Sequence, residues 1–272
     1  MPQTTPLTPR DIALIEEQRI ATVFSEAADE AMPLSGGVVT YAGPADFANT
    51  AVAVGLSEPA GDDEADAILD FHTRHGVDSR VECSPFTAKP LVLALSKRGY
   101  TIRMFENIFA IDLALAPPAV FRAPEIPGLD IRLIDTADAH EVERFARLAI
   151  SGFLTPEQSM EDMLPITMRF ARLPRARSFI ATIDDIPVAA GGLEIHEHIA
   201  TLYGVTVLPE YRNRGIQQAI IAHRLRHARE TSVRLVTIGT EPGIPTERNA
   251  IRAGFSIAYT KVVLSRKRDA TA

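Results

Sequence analysis

Residues 202–229 read LYGVTVLPEYRNRGIQQAIIAHRLRHAR, and the order of residue types along this stretch sets the architecture around it. Leu202, Val205, Val207 and Leu208 carry a strand signal that Pro209 ends, while Ala219, Ile220, Ile221, Ala222 and Leu225 recur at helical spacing. Arg212, Asn213, Arg214 and Gly215 lie between strand and helix. The first turn of a helix has N–H groups without intrahelical partners and a partial positive charge. A basic turn whose glycine lets the backbone approach closely is therefore suited to a phosphate.

The spacing Arg212-x-x-Gly215-x-Gln217, preceded by Val205-Thr206-Val207-Leu208-Pro209, resembles the Q/R-x-x-G-x-G/A signature of the GCN5-related N-acetyltransferases (GNAT) and the strand leading into it. The resemblance covers roughly residues 129–266, and RNAIRAGF at 248–255 is similar to the family's closing helix and strand. It implies an α/β (α+β) fold, a mixed, mostly antiparallel sheet flanked by helices, with acetyl-CoA as acyl donor and no metal. It further implies that Arg212, Asn213, Arg214, Gly215, Ile216, Gln217 and Gln218 hold the pyrophosphate and that Asn249 touches the cofactor. The backbone of Val205, Thr206 and Val207, on a strand splayed from its neighbour, would hold the pantetheine and the thioester carbonyl. Gln217 departs from the signature, standing where glycine or alanine is usual; its side chain either crowds the phosphate or hydrogen-bonds it.

With 272 residues the chain is long enough for one large domain or two ordinary ones. It is 46% apolar and 23% charged, an ordinary globular composition, and has no apolar run long enough to cross a bilayer. The start, MPQTTPLTPR, has no apolar h-region, so the cytoplasm is the default expectation. Cys83 is the only cysteine, which excludes an intrachain disulfide and a cysteine zinc cluster and suits a small buried residue. A net charge of −7 argues against broad binding to nucleic acid.

Patterning predicts a helix from Pro9 to Glu30, strands at Val38–Tyr41 and Thr50–Leu56, a helix at Asp62–His75, a strand at Arg80–Cys83, a helix reaching Lys97 and a strand at Tyr100–Leu113. Residues 114–128 hold Pro117, Pro118, Pro124 and Pro127 and read as an extended connector rather than packed structure. Helices are then expected at Thr136–Ser151 and, after Pro156, at Glu157–Arg172 with a kink or break at Pro165; strands follow at Ser178–Ile183, Pro187–Ile195 and Ile199–Leu208. After the long helix come a strand at Val233–Ile238, a short helix at Thr246–Ala253 and a last strand at Phe255–Leu264.

The halves echo each other. Residues 96–102 (SKRGYTI) align with 250–257 (AIRAGFSI), glycine then aromatic opening a strand in both, and the interval from Val54 to Gly99 nearly equals that from Val207 to Gly254. The expectation is a tandem of two acyl-CoA N-acyltransferase domains, with residues 1–115 degenerate, 116–128 a linker and 129–272 the acetyl-CoA-binding domain. Where the second half has PEYRNRGIQQA the first has SEPAGDDEADA. Asp62, Asp63 and Glu64 at a helix start satisfy the dipole themselves and repel a phosphate, so the first half is expected to bind no CoA.

Many GNAT members place a general-acid tyrosine four positions before the closing glycine, where this chain has Ala250. Tyr203, on the same strand as Val205, is a candidate proton donor to the departing thiolate, with core packing as the alternative. Glu194, expected across a hairpin from about Thr201, is a candidate base acting through water, with a solvated strand face as the alternative. His196 and His198 share Glu194's side but sit at the hairpin tip, remote from the acyl group, so no metal site is expected. His223, Arg224, Arg226, His227 and Arg229 on the long helix are expected to be solvated.

The expected function is acetyl transfer from acetyl-CoA to a primary amine of a small molecule or peptide by direct attack. Determinants for the acceptor are expected at Ser151–Arg175 and near Tyr259, with no nucleic-acid or membrane partner and with monomer and homodimer both open. The alternatives are a non-catalytic acyl-CoA sensor or scaffold, favoured by Ala250, and a nucleotide-binding α/β protein that uses the same turn for ATP.

Overall fold

Thr8 starts the first helix, α1 (Pro9–Ala27): its hydroxyl accepts from the Asp11 N–H at 3.2 Å and the Asp11 carboxylate accepts from the Thr8 N–H at 2.9 Å. A computed structural model describes residues 6–154, 158–231 and 233–268; Pro156 and Glu157, expected to break and restart the helical pattern, lie outside the described residues. The chain forms two units, Leu7–Ile108 completed by the chain from Ile257 onward, and Phe109–Ser256.

In the first unit α1 is followed by β1 (Glu30–Leu34), β2 (Gly37–Tyr41), β3 (Ala51–Val52), α2 (Asp62–Arg74), β4 (Ser79–Cys83), α3 (Lys89–Lys97) and β5 (Thr101–Asp112), of which the residues to Ile108 belong here. The final strand of the chain, β11 (Ser256–Arg266), lies between β4 and β5, giving the order β1-β2-β3-β4-β11-β5. Val39, Ile68, Phe71, Val81, Leu91, Leu95 and Leu264 form its core. Glu30, expected at the end of the helix, instead starts a strand: α1 stops at Ala27, and Ser35 and Gly36, both at positive φ, turn β1 onto β2. The apolar run at Thr50–Leu56 is strand only at Ala51–Val52, because Ala53 (φ 59°) and Gly55 (φ 70°) turn it away.

The last strand was expected to close the second half, yet it pairs antiparallel with β4, from Cys83↔Val262 to Ser79↔Arg266. Its side chains account for the attachment. The buried Lys261 Nζ is 2.7 Å from Glu82 Oε2, 3.3 Å from Glu106 Oε2 and 3.6 Å from Glu17 Oε1, and Tyr259 donates to Glu17 Oε1 at 2.6 Å. Burial disfavours the Lys261 ammonium, but the three carboxylates outweigh it and hold its pKa well above the usual value.

The second unit carries β6 (Leu129–Leu133), α4 (Ala139–Ile150), α5 (Met160–Arg172), β7 (Ala176–Ile183), β8 (Ile186–His196), β9 (Ile199–Val207), α6 (Ile216–Arg229), β10 (Leu235–Thr240) and α7 (Pro245–Arg252). Its sheet runs from the end of β5 through β10, β9, β8 and β7 to β6. Asp184 and Asp185, at φ 50° and 67°, make the tight β7–β8 turn. One face of the sheet packs Ile180 and Ala190 against Phe145 and Ala149 of α4; the other packs Phe179, Leu193 and Leu202 against Ile221 and Leu225 of α6. α5 runs through Pro165 unbroken, since the proline forfeits one backbone hydrogen bond near the start of a helix that Ser159 caps.

Residues 114–128 are packed rather than a free connector. Pro118–Phe121 forms a 3₁₀ turn, Phe121 enters the core beside Ile221 and Leu225, its carbonyl accepts from Arg226 at 2.9 Å, and Arg229 lies over its ring at 4.1 Å. Prolines have preset φ and little entropy to lose, so they pack as readily as they extend.

Glu17 yields a test of the first unit. Burial, offset in part by Lys261, raises its pKa from 4.5 to about 7. A carboxyl with a raised folded pKa stabilises while protonated, so its contribution is complete below 4.5 and is lost as pH rises through about 7. His72, lowered by burial to about 4, acts in the opposite direction over the same window. The diagnostic is therefore the difference between proteins: Glu17→Gln should gain stability relative to wild type between pH 5 and 8, by at most roughly 3 kcal/mol. Parallel denaturant-melting curves against pH would contradict the assignment.

Candidate active site

β9 and β10 run parallel and pair from Ile199↔Leu235 to Leu202↔Ile238, and among the described residues their ladder ends there. β9 continues to Val207, so its edge toward β10 carries backbone groups that β10 does not pair. On its other side β9 pairs with β8 at Tyr203↔Gly192 and resumes at Thr206↔Ala190. Gly204 and Val205 thus stand opposite the single residue Gly191, a β-bulge, with Gly204 at φ 59°. Strand groups left by both neighbours need a ligand or water.

Two glycines of β8 make the bulge possible. A Cβ on Gly191 would lie 2.9 Å from Ile220 Cγ2 and 3.2 Å from Arg224 Cζ; a Cβ on Gly192 would lie 2.3 Å from Tyr203 Cζ. The Tyr203 ring therefore lies over Gly192, leaning toward β8 and away from β10, which favours the packing alternative for Tyr203. Val205 and Val207 pack toward Ile216 and Ile220 of α6, and the buried Thr206 hydroxyl donates to the Ala149 carbonyl at 2.7 Å, leaving Thr206 its main chain for a ligand.

The turn after β9 keeps its positive character. Arg212 Nε donates to the Val207 carbonyl at 3.1 Å, and Arg214 donates to the Glu210 carbonyl at 3.3 Å while covering the Tyr211 ring at 5.2 Å. Asn213 (φ 61°) and Gly215 (φ 81°) are left-handed, and α6 begins after Gly215 with neither a side-chain cap nor an acidic residue in its first turn. A Cβ on Gly215 would come within 3.3 Å of Pro124. The start of α2 is the opposite case: Glu64 accepts from the Gly61 N–H at 2.7 Å and from the Ser35 hydroxyl at 2.9 Å, and these bonds lower its pKa.

Gln217, the departure from the signature, is occupied by α7. Its amide donates to the Thr246 hydroxyl at 3.3 Å and accepts from Asn249 at 2.6 Å, while Asn249 accepts from Arg252 at 3.4 Å. Both carboxamides tie α6 to α7. Ala250, where the family tyrosine is usual, is fully buried in the core. Gln218 lines a groove with Ala119, Val120, Arg122 and Pro124.

Glu194 pairs with Thr201 as expected, but it is buried rather than on a solvated face, and Arg175 donates to it at 3.3 Å. Thr201 and Thr237 share a 2.5 Å hydroxyl contact on the same side of the sheet. His198 is exposed and His196 half-buried, and among the described residues no histidine, cysteine and carboxylate group gathers for a metal. Tyr259, expected beside the acceptor, is buried in the first unit. Arg224 corrects the expectation of a solvated basic helix: it is fully buried, and burial lowers its pKa to about 9. Gly191, Gly192, Gly204 and Arg224 were missed as site residues. A glycine pair in one strand and a lone glycine in the next are the signal that marks a bulge.

Residues 142–255 match the model of the acetyltransferase (GNAT) family. Those residues form a GNAT acetyltransferase domain. Its fold is similar to that of a GCN5-related N-acetyltransferase from Kribbella flavida (TM-score 0.67, 19% identity, covering 92% of this chain and 95% of that one). It is also similar to a tandem GNAT protein from the clavulanic acid biosynthesis pathway (TM-score 0.59, 16% identity, 98% and 99% covered). A conserved protein of unknown function from Staphylococcus epidermidis ATCC 12228 shares the fold as well (TM-score 0.60, 14% identity, 83% and 88% covered). No curated protein matches in sequence. No helix among the described residues is long and apolar enough to cross a membrane.

The packing of the GNAT domain's bulge is open to a double-mutant cycle. Gly192→Ala should cost roughly 1–3 kcal/mol by displacing the Tyr203 ring, and Gly192→Ala with Tyr203→Ala should cost less than the sum of the single changes. Additive costs would show that the ring does not rest on Gly192.

Proposed function

We propose that the GNAT domain transfers an acetyl group from acetyl-CoA to a primary amine of a small molecule or peptide by direct attack. The carrying observation is the strand that parts from β10 after Leu202 and leads into the turn at Gly215. In this reading the pyrophosphate takes the N–H groups of Gly215, Ile216, Gln217 and Gln218, with Arg212, Asn213 and Arg214 around it. The pantetheine pairs with the main chain of Val205, Thr206 and Val207, and a strand N–H left free by β10 polarises the thioester carbonyl and stabilises the oxyanion. The neutral amine attacks the carbonyl carbon; the tetrahedral intermediate collapses with cleavage of the carbon–sulfur bond, the amine's proton passes through water to a base on the protein, and the departing thiolate takes its proton from solvent. Asn249 holds Gln217 in place at the mouth of the turn.

Glu194 is the proposed base, taking the amine proton through water. Tyr203 is assigned to packing, since its ring leans toward β8. The N-terminal half is proposed to be a degenerate GNAT-like domain that binds no CoA, because Glu64 and Asp62 occupy the start of α2. The cytoplasm is the proposed location. A second reading, a non-catalytic acyl-CoA sensor, is favoured by the buried Ala250.

Thermal shift and thiol release together decide between these readings. CoA should raise the melting temperature and ATP should not, and acetyl-CoA with a panel of amines should release free thiol. Glu194→Gln should lower kcat about 10²-fold with CoA affinity unchanged, and Tyr203→Phe should stay near wild type. Stabilisation by CoA without thiol release on any amine would favour the sensor, and stabilisation by ATP alone would contradict both.

A further inference from the structure

Arg224 is the one charged residue among the buried positions of α6, which are otherwise Ile216, Ala219, Ile220, Ile221, Ala222, Leu225 and Ala228. Its Nε donates to the Ile220 carbonyl at 3.3 Å, and one terminal nitrogen donates to the carbonyls of Gly192 at 2.7 Å and Tyr203 at 3.3 Å. Among the described residues the other terminal nitrogen is buried without a partner, and no carboxylate pairs with the guanidinium. An apolar side chain would fill this space without the penalty of desolvating a cation. The donors therefore have to matter to the groups they reach.

Those groups are specific. Gly192 and Tyr203 form the last β8–β9 pair before the bulge at Gly204 and Val205. A bulge in a strand flanked by glycines can slide by a residue, which would turn Val205 and Thr206 to opposite faces. One nitrogen bound to both carbonyls of the closing pair marks where the bulge begins. Gly191 leaves the guanidinium its path, because a Cβ there would stand 3.2 Å from Cζ.

We propose that Arg224 is a positioning residue that locks the start of the β9 bulge and so holds the backbone of Val205–Val207 in one register toward β10. The consequence for acyl transfer rests on the reading given above; the locking of the bulge does not.

Hydrogen–deuterium exchange of the full chain tests it, with wild type, Arg224→Lys and Arg224→Met each measured with and without CoA. Without ligand, the amides of Gly204–Val207 should exchange at least about tenfold faster in Arg224→Met than in wild type, with melting temperature held within a few degrees. CoA should protect residues 204–207 and 212–218 in wild type but only 212–218 in Arg224→Met. Arg224→Lys, with one nitrogen to reach the carbonyls, should restore part of the protection at 204–207, which a purely structural role would not predict. Exchange at Gly204–Val207 equal to wild type in Arg224→Met would overturn the proposal. Should Arg224→Met fail to fold, Arg224→Lys carries the comparison: faster exchange confined to Gly204–Val207 supports the lock, and unchanged exchange overturns it. Absence of CoA protection in wild type would remove the acyl-transfer reading, while the ligand-free comparison would still decide the lock.

Discussion

A backbone N–H or C=O taken out of water has to find a partner, and β9 is an interior strand whose two neighbours do not supply them all. β10 leaves it after Leu202, and β8 skips a residue at Gly204–Val205. The surroundings follow from that shortfall. Gly191 and Gly192 carry no side chain because one face of β8 must admit Arg224 and the other Tyr203. Thr206 turns its hydroxyl to α4, so what remains toward β10 is main chain. Main-chain groups at fixed spacing suit a ligand built as a chain of amides, and the turn at the end of the same strand suits a phosphate.

The two units treat the same local problem differently. A helix start has unpaired N–H groups and attracts negative charge. In α2 that charge is internal, with Glu64 closing the backbone at Gly61 and Asp62 and Asp66 bound to Arg98. In α6 it is left to come from elsewhere, and Arg212 and Arg214 spend their hydrogen bonds on carbonyls rather than on carboxylates. The difference lies in which groups each helix start has already satisfied.

The stretch from Leu202 to Arg229 was legible because each step leaves a local mark: alternation, a proline, a basic turn with glycine, then helical spacing. The same holds for the Asp184-Asp185 hairpin and for Glu194 opposite Thr201. What could not be read depends on partners distant in sequence. An amphipathic last strand does not announce that it will pair with β4, and nothing local to Lys261 names Glu17, Glu82 and Glu106 as its partners. Arg224 sits among arginines and histidines on a helix, and only the glycines of another strand reveal that it is buried. The proline-rich stretch failed for a related reason, since proline reports a restricted φ and does not say whether the chain is packed.

A crystal structure of the protein with CoA tests directly whether β9 and the turn at Gly215 hold the cofactor. The pyrophosphate is expected against the N–H groups of Gly215–Gln218 and the pantetheine amides paired with β9 between Tyr203 and Val207, with the start of α2 empty. CoA bound away from β9, or seated at the start of α2, would contradict this placement.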